Sequence, residues 1–399
     1  MSIILRNAMI IDGRGDGLAR GYLVVEGHYI QKVGKGSGPD MKKGDNAIDL
    51  DGKTLFPGLI DCHVHLCLDG SSDPIQSLEK DSDPMIALKA TKFAYQTLLA
   101  GVTTIRDMGA RNHVDIQLRN AIQMGLVPGP RMICSGKFVC MTGGHGWPIG
   151  READGPDAVR QAVREQLKAG ADIIKLIATG GVMTPGVDPG AAQLSYEELK
   201  AGVEEAHKAG RRTASHALGN QGVKTALRAG IDSIEHGVFL DDEAIELFLE
   251  RKTALVPTIS APYHILEKGI KSGIPVSTVE KAQRVNHVHI ESAKKAFHAG
   301  VMIGMGTDAG TPFNCHGANL KELELLCGLG LTPMETLVTA MGKAAEVLGW
   351  NDRIGTIEEG KLADLVIVEG DPLKDITILQ NKERIVAVMK EGQFFRKVI

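Results

Sequence analysis

Between residues 57 and 350 short apolar runs alternate with longer helix-like stretches, and this alternation constrains the fold more than any other feature of the chain. The runs are Leu59–His65, Val102–Asp107, Arg131–Ser135, Ile173–Ile177, Thr213–His216, Ser233–His236, Ala254–Thr258 and Met302–Thr307. Helices are expected over Pro84–Ala100, Pro156–Ala169, Tyr196–Ala209 and Val279–Ala299, with a final one over Pro333–Leu348. Parallel strands need a crossover between them, so strand–helix alternation at this spacing predicts βα units. Eight such units predict a closed (β/α)8 TIM barrel, with an open doubly wound sheet as the alternative. No G-x-G-x-x-G follows the first run, so a dinucleotide site is not supported. Four helical stretches close on Ala-Gly, at 100–101, 169–170, 229–230 and 299–300. A glycine there suits a left-handed helix C-cap, where a Cβ would clash.

The two ends read differently. Ile3–Arg6, Ala8–Ile11 and Tyr22–Glu26 are strand-like, with turns at Asp12-Gly13 and Glu26-Gly27. The tail repeats that style in Ala363–Val368 and Ile385–Met389, with a turn at Gly370-Asp371-Pro372. The expected organisation is therefore a composite β-sandwich from residues 1–56 and 357–399 around a barrel over 57–356. A formal charge of −4 without a basic stripe argues against nucleic acid as a partner. No run approaches 18 apolar residues and no signal peptide is evident, so no membrane partner is expected. The six cysteines form no C-x-x-C pair, which suits reduced thiols in the cytoplasm.

Ligand-type side chains fall at the C-terminal ends of the runs, where barrel enzymes place their sites. His63 and His65 share one side of the first run by alternation and can reach one metal. Lys175 sits inside the apolar run Ile173–Ile177. A buried lysine is costly unless it is paired, snorkels to water, or is neutralised. Carbamylation by CO2 would turn it into an anion with two oxygens able to bridge two metals. His216 and His236 end consecutive runs, and Asp308 ends the eighth in a Gly-rich loop. Singly, each reads equally as a structural histidine or a turn-forming aspartate.

Together, His63, His65, Lys175, His216, His236 and Asp308 resemble the ligand set of the binuclear metal-dependent amidohydrolase superfamily. The resemblance spans nearly the whole chain and includes the tail Gly360-Lys-Leu-Ala-Asp-Leu-Val-Ile-Val-Glu-Gly-Asp-Pro372. Thr142-Gly-Gly-His145-Gly, Gly180-Gly-Val-Met-Thr-Pro185, Gln193-Leu-Ser195 and Tyr263 are similar to motifs of one branch. That branch holds Xaa-Pro dipeptidases, metallo-carboxypeptidases and ochratoxinase-like amidases. The resemblance implies two divalent metals, zinc first, with manganese or cobalt as substitutes. His63, His65 and Asp308 would hold one, His216 and His236 the other, and carbamylated Lys175 would bridge them. It implies that His145 and Tyr263 touch the scissile carbonyl, and that the protein is a homo-oligomer.

The implied reaction is hydrolysis of an amide C–N bond in a dipeptide or N-acyl amino acid by a metal-bridging hydroxide. Asp308 would take the hydroxide proton and pass it to the leaving nitrogen. Arg106, Arg111 and Lys137 are candidates to anchor a substrate carboxylate, or, for Arg106, to pair internally with Asp107 or Asp61. Residues 261–277 are expected to form a long loop that acts as a lid. A lactone, cyclic amide, aryl amide or organophosphate remains an alternative substrate on the same ligands. Imidazolonepropionase-like enzymes use one metal and no bridging lysine, so Lys175 argues against them. An inactive barrel scaffold is the non-enzyme alternative.

Overall fold

The computed structural model describes residues 2–15, 18–36 and 38–399. Their contacts divide them into two compact units. One contains the chain up to Asp61, Tyr95–Thr104 and Gly317–Ile399; the other contains Cys62–Ala94 and Ile105–His316.

The first unit is built on one sheet whose strands come from both ends of the chain. Its order is Gln393–Lys397, Ile385–Lys390, Leu365–Val368, Thr54–Pro57, Ser2–Ile11, Leu18–Glu26, Tyr29–Lys35, with Asn46–Asp49 also paired to Ser2–Ile11. Leu23 and Val25, and Leu365 and Ile367, are period-2 neighbours that point into one apolar cluster with Leu5, Leu55, Ala387 and Met389. The two apolar runs at the N-terminus are a single strand. A register shift between Leu5 and Ala8, with Asn7 at φ 54°, splits the alternation that the sequence shows. The expected helix Pro333–Leu348 is two helices, Pro333–Thr339 and Gly342–Leu348. Ala340 O is taken by the amide of Ile60, and a Cβ on Gly342 would lie 2.6 Å from Gly13 O, so chain packing breaks the helix there.

The fold is α/β, and its barrel-type strands are all parallel in two sheets. Three strands, Leu59–Val64, Val102–Asp107 and Arg131–Cys134, form one. The other runs through Val139–Cys140, Ile173–Ile177, Arg212–Ala217, Ser233–His236 and Ala254–Val256, with Arg151–Glu152 at its edge. The eighth run is not a regular strand, which corrects the expectation. Ile303 makes a bridge to Leu255, and Ala309 makes one to Val64. Gly304 and Gly306 interrupt the run, and a Cβ on Gly306 would lie 2.3 Å from Val256 Cγ1 and 3.0 Å from His63 Cβ. Close approach, bought by glycine at the cost of regular pairing, packs this segment between its neighbours.

Pro156–Ala169 is helical as expected, and Tyr196–Lys208 starts on a Ser195/Glu198 capping box. The four Ala-Gly glycines all take positive φ: 88° at Gly101, 97° at Gly170, 93° at Gly230 and 87° at Gly300. Residues 261–277 are mostly not a loop. Ser260–Lys268 is a helix, residues 270–272 form a 3-10 turn, and Val276–His298 is a second long helix. Pro262 falls in the first turn of its helix, where its missing N–H costs nothing. No helix is long and apolar enough to cross a membrane among the described residues, and none of the six cysteines forms a disulfide.

Candidate metal centre

The second unit gathers the six expected donors on one wall. His63, His65, Lys175, His216, His236 and Asp308 all line a cavity of about 500 Å³. Their rings form a continuous chain. Centroids lie 5.3 Å apart for His65–His63, 5.2 Å for His63–His236, 4.5 Å for His236–His216 and 4.3 Å for His216–His145.

Backbone geometry explains why so many donors converge. Ile177 pairs with His216 and Ala217 with His236, so each strand end steps forward past the one before. His236 follows Glu235 directly, and a regular strand would send the two to opposite faces. A φ of 74° at His236 breaks the alternation and turns its ring into the same site. Asp308 (φ 57°) and Thr258 (φ 55°) are also left-handed. Three non-glycine residues in this sparsely populated region around one cavity show strain held where the chemistry is.

Each metal-type histidine has one nitrogen engaged. His63 Nδ1 bonds Glu235 Oε2 at 2.7 Å, and His65 Nδ1 donates to Gly109 O at 2.8 Å. His236 Nδ1 pairs with Thr258 Oγ1 at 2.7 Å. That hydroxyl donates its proton to Pro257 O, so it accepts from His236. In these three rings Nδ1 is engaged and Nε2 is the nitrogen that can serve as a ligand, with Asp308 Oδ1 3.5 Å from that atom of His63 and of His65. His216 is reversed: Nε2 donates to Gly180 O at 3.0 Å and leaves Nδ1. Such second partners fix the tautomer and raise ligand basicity. Burial holds His63, His216 and His236 well below the usual histidine pKa and lowers His65 to about 4, so the imidazoles are neutral, the state a metal needs.

The donor chemistry fits divalent metal. His63, His65 and Asp308 each offer a ligand atom, all within 4.8 Å of one another, and Asp308 Oδ1 lies 3.5 Å from both Nε2 atoms. This group can hold an ion. The other half offers two imidazoles and an amine. Lys175 is buried, and desolvation lowers its pKa to about 8, with Glu235 and Asp308 opposing the shift.

Glu235 is the functional residue that sequence reasoning missed. It is fully buried, bonds His63, and accepts from Arg106 Nη2 at both carboxylate oxygens, at 2.9 and 3.0 Å. Ser233 Oγ donates to it at 2.7 Å and accepts from Arg106 Nη1 at 3.0 Å. Arg106 thus pairs internally, but with Glu235 rather than Asp107 or Asp61, and does not line the cavity. The available signal was one buried-strand cation, Arg106, needing one buried-strand anion. Arg111 is spent on Leu78 O and Asp83. Lys137 does not line the cavity.

His145 lines the cavity. Its Nδ1 lies 2.8 Å from Thr184 Oγ1, its amide donates to Gln193 Oε1, and burial lowers its pKa to about 3. A Cβ on Gly181 would sit 2.4 Å from its ring, so that glycine makes room for it. Tyr263 lies on the Ser260–Lys268 helix, whose lining residues are Ala261, Pro262 and Ile265; Tyr263 is not among them. His289, unnoticed in the sequence, also lines the cavity and donates to His236 O at 3.1 Å.

Comparison with known proteins identifies the family. The amidohydrolase family model matches residues 54–395. Ochratoxinase of Aspergillus niger is 30% identical, covering 98% of this chain and 86% of its own length. A crystal structure of a Xaa-Pro dipeptidase with methionine bound in its active site is 36% identical, covers 99% of this chain and all of its own, and superposes with a TM-score of 0.92. A prolidase complexed with N-methylphosphonate-L-proline is 30% identical over the full length of both chains, with a TM-score of 0.92.

Proposed function

The chain belongs to the amidohydrolase family and is a hydrolase of amide bonds, and from that premise we propose that it cleaves the C–N bond of a dipeptide or an N-acyl amino acid at a two-metal site. The observation that carries this reading is the convergence of six donors on one cavity wall. In it, His63, His65 and Asp308 would hold one ion, and His216 and His236 would hold the other with a carbamylated Lys175, zinc being the metal whose preferences suit these donors. When bound, such ions polarise a carbonyl and lower the pKa of water toward about 7.

The chain's own groups do the rest. A lysine ammonium has no lone pair; once Lys175 has lost its proton to solvent, the amine nitrogen can bond the carbon of CO2, a second proton leaves the nitrogen for water, and the resulting carbamate would supply two anionic oxygens to the second half. A buried amine whose pKa lies near 8 is more readily deprotonated for that addition. Asp308 accepts a proton from the attacking water and delivers it to the leaving nitrogen, because an amide anion leaves poorly. His145, with Nδ1 turned to Thr184, presents its other edge to the carbonyl oxygen. The apolar remainder of the wall, including Phe138, Trp147, Val182, Leu218 and Ile265, excludes water and packs the acyl portion. Six cysteines without a disulfide suit a reducing cytoplasm, and family resemblance carries the expectation of a homo-oligomer.

The test is a panel of dipeptides and N-acyl amino acids, run beside a lactone and an organophosphate, with metal analysis of the same sample. Amide turnover by protein holding about two metals per chain is expected. Lactone or phosphoester turnover without amide cleavage would overturn the substrate reading.

A further inference from the structure

A carboxylate that enters an apolar cavity needs a cation at its docking point, because burying it unpaired is costly. Among the described residues, the cavity wall holds one cationic side chain, Lys175, and the proposed metal site uses it. Arg106 and Arg111 are committed elsewhere. A further cation lies just behind the wall. The Val276–His298 helix presents Thr278 and Val285 to the cavity. Lys281 follows the first by three residues and precedes the second by four, so it shares their helix face. It is half-buried, and its Nζ donates to Thr184 O at 2.6 Å. Thr184 is itself cavity wall and the partner of His145. An ammonium has three donors, and this contact uses one. Asp188, the carboxylate whose field reaches Lys281, is paired with Arg284 at 2.7 Å.

We propose that Lys281 is the cation that receives the carboxylate of an anionic amide substrate, which makes it the residue that selects dipeptides and N-acyl amino acids over neutral amides. Its four-carbon stem can carry the ammonium past the Thr184 carbonyl into the cavity. The inference rests on the amide-hydrolase reading and names the substrate end that the site recognises.

The experiment compares wild type, Lys281→Met and Lys281→Arg on a matched pair: an N-acyl amino acid and its carboxamide, sharing one scissile bond. For the acid, Lys281→Met should raise KM about 10- to 100-fold, the scale of one lost charge-assisted bond. Any change in kcat, which would report the Thr184 and His145 contacts, should be shared by both substrates, and the rise in KM should be confined to the acid. Lys281→Arg should recover most of the loss. Equal losses on both substrates would show that Lys281 only holds the 182–185 segment and His145, and would overturn the proposal; so would no change on either. Calorimetric binding of the product amino acid to the metal-loaded protein separates the two readings. If wild type binds it and Lys281→Met does not, the carboxylate assignment stands even where no amide is cleaved, and only the reaction assigned above fails.

Discussion

At the strand ends, each donor ring is gripped by backbone or by a neighbouring strand: His65 by Gly109 O, His216 by Gly180 O, His63 by Glu235, His236 by Thr258. The segments that cover them are tied to one another by side-chain contacts as well. His145 hangs on Thr184, Thr184 O is held by Lys281, and Asp188 is held by Arg284 across 96 residues. The first region is positioned by sheet register. The second is positioned by contacts that a substrate can exchange. Rigid chemistry below and exchangeable recognition above is the division that these contacts teach.

Substitutions that remove a rigid member should therefore cost most. Lys175→Ala deletes the group that completes the second half of the site, and metal content should fall below two per chain with activity lost to background. Elemental analysis of the purified variant checks this, and full two-ion occupancy would contradict it. Asp308→Asn keeps the shape and removes the proton acceptor. Turnover should fall about 10³- to 10⁴-fold with metal largely retained. A wild-type-like rate in that variant would remove the shuttle.

The same division decides what the sequence could reveal. His63, His65, Lys175 and His216 were legible because a period-2 pattern on a short run fixes which way a side chain points. His236 and Asp308 were legible by position, although both reach the site through positive φ, which no pattern signals. Glu235 was hidden for that reason: alternation assigns it the face opposite His236, and the left-handed turn puts both on one. The parallel α/β architecture followed from the alternation of runs and helices. The break at Ala340 and the irregular eighth segment depend on approaches to Gly13 and Val256 that lie far away in sequence. Lys281 and Thr184 are nearly a hundred residues apart, and nothing local to either announces the other.

Among the covering groups, His145 should matter most. His145→Gln removes a donor aimed at the carbonyl oxygen, and kcat should drop about 10²-fold. Steady-state kinetics with unchanged metal content would place the loss in the chemical step, and a change in KM alone would move His145 to binding. Glu235→Gln acts one step behind the metal ligands. It should weaken metal binding about 10- to 100-fold, read by competition with a chelating dye, because His63 loses the anion that orients it. It also leaves Arg106 facing a neutral amide in a buried strand, so a lower midpoint of denaturation should accompany the change. Metal affinity equal to wild type would reduce Glu235 to a partner for Arg106.

The smallest effect is expected from Tyr263→Phe, and it is the sharpest test of the boundary between the two regions. Family resemblance puts this phenol on the scissile carbonyl; the residues of the Ser260–Lys268 helix that line the cavity are Ala261, Pro262 and Ile265. Residues 261 and 265 are one helical turn apart and share a face, whereas 263 is displaced from 261 by about 200° around the axis, at 3.6 residues per turn. Its ring packs edge-on against His264, with centroids 5.1 Å apart. Losing one hydroxyl there should change kcat/KM less than about threefold, within the scale of a contact remote from the reaction. A hundredfold loss in kcat would mean that the helix rotates when substrate binds, and the covering region would then take part in the chemistry as well as in recognition.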